Sequence, residues 1–244
     1  MVVLRDVTER RNVEAMRSDF VADASHELKT PVASIQAAAE TLVRAIDEDP
    51  AAARRFASQV HVTAVRLSQL VTDLLDLSRV ESERLEPKEV DLGRLIAKEL
   101  DRLADRAEVM GIELVADAEP VVVLAGRKDV RLAVRNLLEN ALAYTEPGGA
   151  VTVSTRRRES KAVISVADTG IGIPGRDVAR IFERFYRVDD ARNRDTGGTG
   201  LGLAIVRHVA EAHGGSVDVE SELGVGSTFT IGIPIRAAED GNSS

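Results

Sequence analysis

A histidine beside a carboxylate, two asparagines one helical turn apart, an aspartate that closes an apolar run and a glycine-rich loop are the groups in this chain that could do chemistry. His26 and Glu27 stand in the string Ser25-His-Glu-Leu-Lys-Thr30-Pro31. An imidazole can act as a nucleophile, and an adjacent carboxylate can take its proton. Its exposure follows from the apolar spacing. Leu28, Val32, Ile35, Ala39, Leu42 and Ile46 recur at steps of four and three, a seam that predicts a partner helix. At about 100° per residue, His26 lies roughly 200° around the helix from Leu28 and points away from that seam. Pro31 cannot donate to the carbonyl of Glu27, and its ring crowds that turn, so a kink is expected beside the histidine.

The other groups suit a phosphorylated ligand. Asn136 and Asn140, in Asn136-Leu-Leu-Glu-Asn140, project from one face of a helix. Amide oxygens suit a Mg²⁺ whose charge is balanced mainly by substrate phosphates. In Val166-Ala-Asp168-Thr-Gly170-Ile-Gly172, a carboxylate ends an apolar strand and glycines allow a tight turn. A buried ionised Asp must find donors, and the exocyclic amine of adenine is one. Gly197-Gly-Thr199-Gly200-Leu201-Gly202 opens a helix, where free backbone N–H groups make a phosphate cradle. It is not a Walker loop, since no Gly-Lys-Ser/Thr follows. Between these lies Phe182-Glu-Arg184-Phe185-Tyr-Arg187 and a run to Thr196 rich in Asp and Arg, which reads as a mobile lid carrying charge-stabilising arginines. Taken singly, each of these has a bland alternative: a surface histidine, capping asparagines, an empty Asp-x-Gly turn, a solvated charged loop. His61 reads as a surface residue, and His208 and His213, five apart, are given no role.

The elements that must position these groups fall into two regions. All 18 glycines lie at or after Gly93, and a Gly-free first third suits long helices, since Gly costs about 1 kcal/mol against Ala in a helix interior. Residues 1–8 read as the end of an upstream sensor domain, of PAS type by resemblance, or as a simple extension. Residues 9–84 read as two helices, with Val13, Met16 and Phe20 leading into the first seam. Asp47-Glu-Asp49-Pro50 is the break, with Asp49 as cap and Pro50 in the first turn. The second helix carries Phe56, Val60, Thr63, Leu67, Leu70, Leu74 and Leu77 at bundle spacing. Such an antiparallel hairpin has too little core alone, so two chains are expected to form a dimeric four-helix bundle. Residues 85–89 read as a hinge linker. Residues 90–236 mix helices (92–107, 127–144, 176–182, 202–212) with strands (112–116, 121–124, 151–155, 162–167, 217–221, 227–233), which predicts a two-layer α/β sandwich. Residues 237–244 read as a disordered tail. The fold class is thus α+β.

Composition narrows the class. The 244 residues hold no Cys, which excludes disulfides, thiolate metal sites and a cysteine nucleophile. The net charge of −8 argues against a nucleic-acid surface. No apolar run is long enough to cross a bilayer and no signal peptide opens the chain, so no membrane contact by this stretch and a cytoplasmic location are expected, even if a parent protein is membrane-tethered.

The histidine string resembles the phosphoacceptor box of two-component sensor histidine kinases. The four later boxes, in order and spacing, resemble the ATP-binding domain of those kinases, shared with the gyrase, Hsp90 and MutL superfamily. The resemblance implies that ATP phosphorylates His26 and that the group passes to an aspartate on the receiver domain of a response regulator. It implies that Glu27 deprotonates the imidazole and that Thr30 positions water when phosphate is removed from the partner. Asn140 would bind Mg²⁺, with Asn136 beside it. Asp168 would hold the adenine amine, Gly170 and Gly172 would line the base, Tyr144 and Arg187 would flank the nucleotide, and Gly198, Thr199, Gly200, Leu201 and Gly202 would form the phosphate loop. Many relatives carry a basic residue where this chain has Ala143, so a phosphate contact is lost or is supplied by Arg184, Arg187 or Arg192. The alternatives are a mainly phosphatase output, a nucleotide-binding but non-catalytic dimeric adaptor, and an ATPase of the chaperone or mismatch-repair kind.

Overall fold

The computed structural model describes residues 8–82, 85–188 and 198–235, with side chains from residue 22 onward. The expected sensor-domain end up to residue 7, most of the expected lid with Arg192, Gly197 and the C-terminal tail lie outside the described residues, as do the side chains of the lead-in residues Val13, Met16 and Phe20. The chain separates into two compact units that divide between Leu74 and Leu75.

The first unit is a helical hairpin. Helix α1 runs from Thr8 to Glu48 with Pro31 inside it, and α2 from Pro50 to Ser82. The break between them is the expected one. Asp49 Oδ1 accepts the N–H groups of Ala51 (3.1 Å) and Ala52 (2.9 Å), with Pro50 opening α2 where no N–H is needed. The seams are shared unevenly. Ala24, Ala38, Ala52, Ala53 and Leu70 are buried, and Leu28, Ile35, Leu42, Phe56, Val60 and Leu67 are half-buried. Val32, Val43 and Ile46 on α1 and Val62, Val65 and Val71 on α2 remain exposed.

The second unit is the α/β domain, and it includes the last turns of α2, from Leu75 on. Its five-stranded sheet has the order β2 (Glu113–Ala118), β4 (Ala150–Arg158), β5 (Lys161–Asp168), β7 (Gly226–Pro234) and β6 (Ser216–Glu222). Only the β2–β4 pair is parallel. Alternation decides which face is covered. Val151, Val153, Ala162, Ile164 and Val166 are fully buried, while their neighbours are half-buried or exposed. Helices α3 (Leu92–Met110), α4 (Arg127–Tyr144) and α5 (Gly202–Ala212) supply the facing core through Leu92, Ile96, Leu137, Leu138, Leu142 and Ile205. Asp91 Oδ1 caps α3 by accepting the Arg94 N–H at 3.0 Å.

Two features depart from the sequence reading. Lys88 and Glu89, placed there in the linker, belong to a strand β1 (Lys88–Asp91) that pairs antiparallel with β3 (Val122–Ala125). The pairing makes the strand, since Lys-Glu-Val-Asp has no strand pattern of its own. Residues 176–182, expected as a helix, form a succession of turns. Asp177 N–H donates to Pro174 O, Arg180 N–H to Asp177 O and Glu183 N–H to Arg180 O, each at 2.8 Å. Tertiary bonds override the helical pattern: the Tyr186 hydroxyl donates to Asp177 Oδ1 (2.8 Å), and the Phe185 N–H to Gly200 O (2.9 Å).

Candidate functional site

His26 and Glu27 are exposed on α1, and Leu28 beside them is half-buried against the hairpin. Among the described residues no hydrogen bond reaches the imidazole or the Glu27 carboxylate, so the ring meets solvent. Thr30, one turn on, is exposed, and its hydroxyl lies 3.4 Å from the His26 carbonyl oxygen.

The other groups gather in the second unit, where α4, the end of β5 and the start of α5 converge. Asp168 closes β5. Its Oδ1 accepts the N–H groups of Gly170 (2.9 Å) and Ser227 (3.3 Å). Among the described residues nothing donates to Oδ2. Burial raises the Asp168 pKa above its ordinary value, and the two backbone bonds pull the other way. A half-buried carboxylate with one open oxygen is poised to receive an N–H donor. The turn after it is pinned to α4, since the Ile171 N–H donates to the Tyr144 carbonyl at 3.1 Å. A Cβ on Gly170 would fall 2.2 Å from that carbonyl oxygen, so only glycine fits. Gly172 packs equally closely on the carbonyl of Glu222.

On α4, Asn136 and Asn140 are one turn apart and half-buried. Asn136 Nδ2 donates to the Leu132 carbonyl (2.9 Å), which braces the amide. Its Oδ1 faces the start of α5, where a Cβ on Gly202 would lie 2.8 Å from it. Asn140 has no hydrogen-bond partner among the described residues, so its amide is the one available to a ligand.

The loop Gly198–Leu201 is tied down at Gly200, which has φ +75°. A Cβ there would lie 2.7 Å from the Phe185 backbone, and Phe185 itself takes a positive φ of 63°. Leu201 is fully buried and anchors the loop. Leu201 at the N-cap offers no side-chain bond, and among the described residues no side chain caps α5, which suits the first N–H groups of this 11-residue helix to an anion. A Cβ on Gly198 would come within 4.0 Å of the Tyr144 hydroxyl, so Tyr144 borders the loop. Thr199 Oγ1 accepts the Leu201 N–H at 3.3 Å. Arg187 is half-buried at the end of the turn segment. Arg184 pairs with Glu81 Oε1 of α2 at 2.5 Å. Among the described residues no cluster of His, Asp or Glu could hold a metal ion by itself.

Three participants carry no sequence signal. Ser227 reaches Asp168 only because β7 pairs with β5 in the register Asp168↔Ser227. Gly226 lets the strands meet, since a Cβ there would sit 2.0 Å from the Asp168 carbonyl oxygen. His213 is buried at the C-cap of α5: its Nε2 accepts the Gly126 N–H at 2.9 Å, and its Nδ1 lies 2.7 Å from Val209 O. It thereby caps the start of α4, a structural task that spacing alone could not show.

Residues 16–83 match the His Kinase A (phospho-acceptor) domain, and residues 125–237 match the histidine kinase-, DNA gyrase B- and HSP90-like ATPase. The sensor-like histidine kinase SenX3 of Mycolicibacterium smegmatis is 43% identical over 96% of this chain and 62% of its own length. The mycobacterial sensor histidine kinase MprB is 31% identical over 62% of this chain and 99% of the solved one, with a TM-score of 0.55. Histidine kinase ThkA, solved in complex with the response regulator protein TrrA, has the same fold, with a TM-score of 0.76 over 95% of this chain and 65% of its own at 23% identity. The chain thus spans about three-fifths of the length of SenX3.

Proposed function

The chain belongs to the sensor histidine kinases of two-component systems, and from that premise we propose that it phosphorylates its own His26 with ATP and passes the group to an aspartate on a response-regulator receiver domain. The observation that carries this reading is the presence, in one polypeptide, of an exposed His-Glu pair and an Asp168 site with an open carboxylate oxygen beside an uncapped helix start.

The chain's groups divide the work. Asp168 Oδ2 receives the adenine amine, Gly170 and Gly172 bring the backbone against the base, and Tyr144 and Arg187 border the nucleotide. The N–H groups opening α5, with residues Gly198 to Gly202, receive the phosphates. Asn140 would hold Mg²⁺, which supplies charge against the phosphates, and Asn136 is braced one turn away. A ring nitrogen of His26 then bonds to the γ-phosphorus and displaces ADP, while Glu27 takes the ring proton. The product is a phosphoramidate. Its P–N bond passes the phosphoryl group to a receiver carboxylate and returns the imidazole. Thr30 is the residue assigned to hold water in removing phosphate from the regulator.

A homodimer is part of the reading. Val43 is 72% exposed and Val62 65% exposed, an apolar outer face on both helices of the hairpin that a second copy would cover. No helix among the described residues is long and apolar enough to cross a membrane.

The test is labelling with γ-labelled ATP. The chain should acquire an acid-labile phosphoryl group. His26→Ala should abolish the label and keep ATP binding, while Thr30→Ala should keep the label and lose regulator dephosphorylation. A label that survives His26→Ala, or an acid-stable one, refutes the assignment. ATP bound without any label would point to the adaptor, and phosphate release without a phosphoprotein to the ATPase.

A further inference from the structure

The last turns of α2 are bound to the nucleotide domain by charge at two places. The first is a ladder on α4. Arg79 Nη1 meets Asp129 Oδ1 at 2.9 Å, and Asp76 stands between Arg79 (3.9 Å) and Arg135 (3.7 Å). The second includes the pair Glu81 with Arg184 at 2.5 Å, both side chains about one-third exposed. The two contacts differ in what lies next to them. The ladder stands on helix backbone. Arg184 precedes Phe185, whose N–H donates to Gly200 O and whose positive φ leaves the segment little freedom. Arg184 is therefore one residue from the Phe185–Gly200 contact with the loop that opens α5, and its guanidinium pairs with Glu81.

We propose that the Glu81–Arg184 pair is a latch that competes with ATP: the polyphosphate draws Arg184 off Glu81 and frees the end of α2. This rests on the ATP site described above and joins to it Glu81, which lies outside it on α2. A guanidinium grips two oxygens of one oxyanion with two N–H groups, and a phosphate group offers such a pair of oxygens as well as a carboxylate does. The ladder keeps the end of α2 close when the latch opens, so the exchange is reversible and local. Linkage makes it reciprocal: if the pair opposes ATP, ATP opposes the pair to the same degree.

The experiment is a mutant cycle on the full chain. ATP affinity is measured by calorimetry for the unaltered protein, Glu81→Gln, Arg184→Gln and both together. A partly exposed ion pair changes an equilibrium by no more than about fivefold. Glu81→Gln should tighten ATP by about two- to fivefold, tighten ADP less, and have no effect once Arg184 is Gln. Hydrogen exchange supplies a second readout: ATP should speed exchange at residues 79–82 in the unaltered protein and not in Arg184→Gln. An unchanged or weakened affinity in Glu81→Gln overturns the latch. So does equal tightening in the Arg184→Gln background, which would mark a long-range charge effect. If the unaltered chain binds no ATP, it is the underlying functional reading that fails.

Discussion

Replacing Asp168 by Asn is the sharpest probe of the site, because the structure makes it pull binding and stability in opposite directions. Asp168 Oδ1 holds two backbone N–H groups, and an Asn oxygen in the same place would keep both. The change falls on Oδ2, which becomes an NH₂ group. On the proposed function Oδ2 accepts an N–H of adenine, so the variant sets donor against donor. A hydrogen bond to a charged group is worth about 1.5–3 kcal/mol, which corresponds to roughly 10- to 150-fold in affinity. The loss should fall equally on ATP, ADP and adenosine, since all share the base.

The empty protein should behave otherwise. Burial raises the Asp168 pKa, so the native state pays to hold the charge. For a raised carboxylate pKa the folded state binds more protons than the unfolded one, so stability falls as pH rises through the two values. Asn removes that cost, and the nucleotide-free variant at neutral pH should unfold at the same temperature or higher. Nucleotide binding by the unaltered protein has the opposite slope: it should weaken as pH falls from neutral toward the raised pKa, because the carboxylate is protonated. Calorimetry with adenosine and thermal unfolding without ligand together decide the matter. Unchanged adenosine affinity in Asp168→Asn would refute the role of Oδ2. A clear loss of ligand-free stability would show that the carboxylate serves the fold instead.

The remaining predictions concern backbone and assembly. Gly200→Ala places a Cβ 2.7 Å from the Phe185 backbone at a φ of +75°; it should cost at least about 1–2 kcal/mol in unfolding experiments and weaken ATP more than adenosine. Gly175→Ala, where a Cβ would meet nothing within 4 Å, is the matched control and should be neutral or slightly stabilising. Light scattering at micromolar concentration should give a dimer. Val43→Asp with Val62→Asp should shift it to monomer by on the order of 4 kcal/mol, since four valines of a two-fold interface lose their cover. A monomeric unaltered chain, or an undisturbed dimer in the double variant, would remove the proposed bundle.

What could be read from the residues was whatever has a local cause. Asp49-Pro50 announces a cap, and the structure shows two N–H groups on Asp49. Alternation in Val151–Thr155 and Ala162–Ala167 announces strands with one buried face, and those strands are β4 and β5. What escaped has a distant cause. β1 exists because Val122–Ala125 lies beside it. The turns at 175–185 replace a helix because Asp177 and Phe185 are engaged by Tyr186 and Gly200. Ser227 serves Asp168 through strand register alone. In the candidate site, Asp168 and Asn140 stand out from the sequence by residue type and spacing, and the structure brings both into the second unit, Asp168 at the end of β5 and Asn140 on α4. Their supports do not stand out, since any N–H or carbonyl at the right place can support them.

That division bears on how the proposed reaction is controlled. Apart from Arg187, the groups assigned to the nucleotide lie on α4, at the β5 end and its turn, or at the α5 start and its loop, and these are fastened together by backbone contacts such as Ile171 to Tyr144 and Phe185 to Gly200. Such a site is largely preformed. The proposed nucleophile has no such support: His26 is exposed, its imidazole meets no hydrogen bond among the described residues, and it belongs to the other compact unit. A residue kept in water is not activated by burial, so its environment contributes little of the barrier reduction. Most must come from positioning, for which about 7–11 kcal/mol is accessible when reacting groups are held in line. Control of the rate then belongs to whatever governs how often the two units meet productively. Inserting two glycines into α2 between Leu74 and Leu75, where the two units divide, should therefore change the rate of His26 labelling while leaving ATP affinity unchanged, and an equal effect on both would refute this separation.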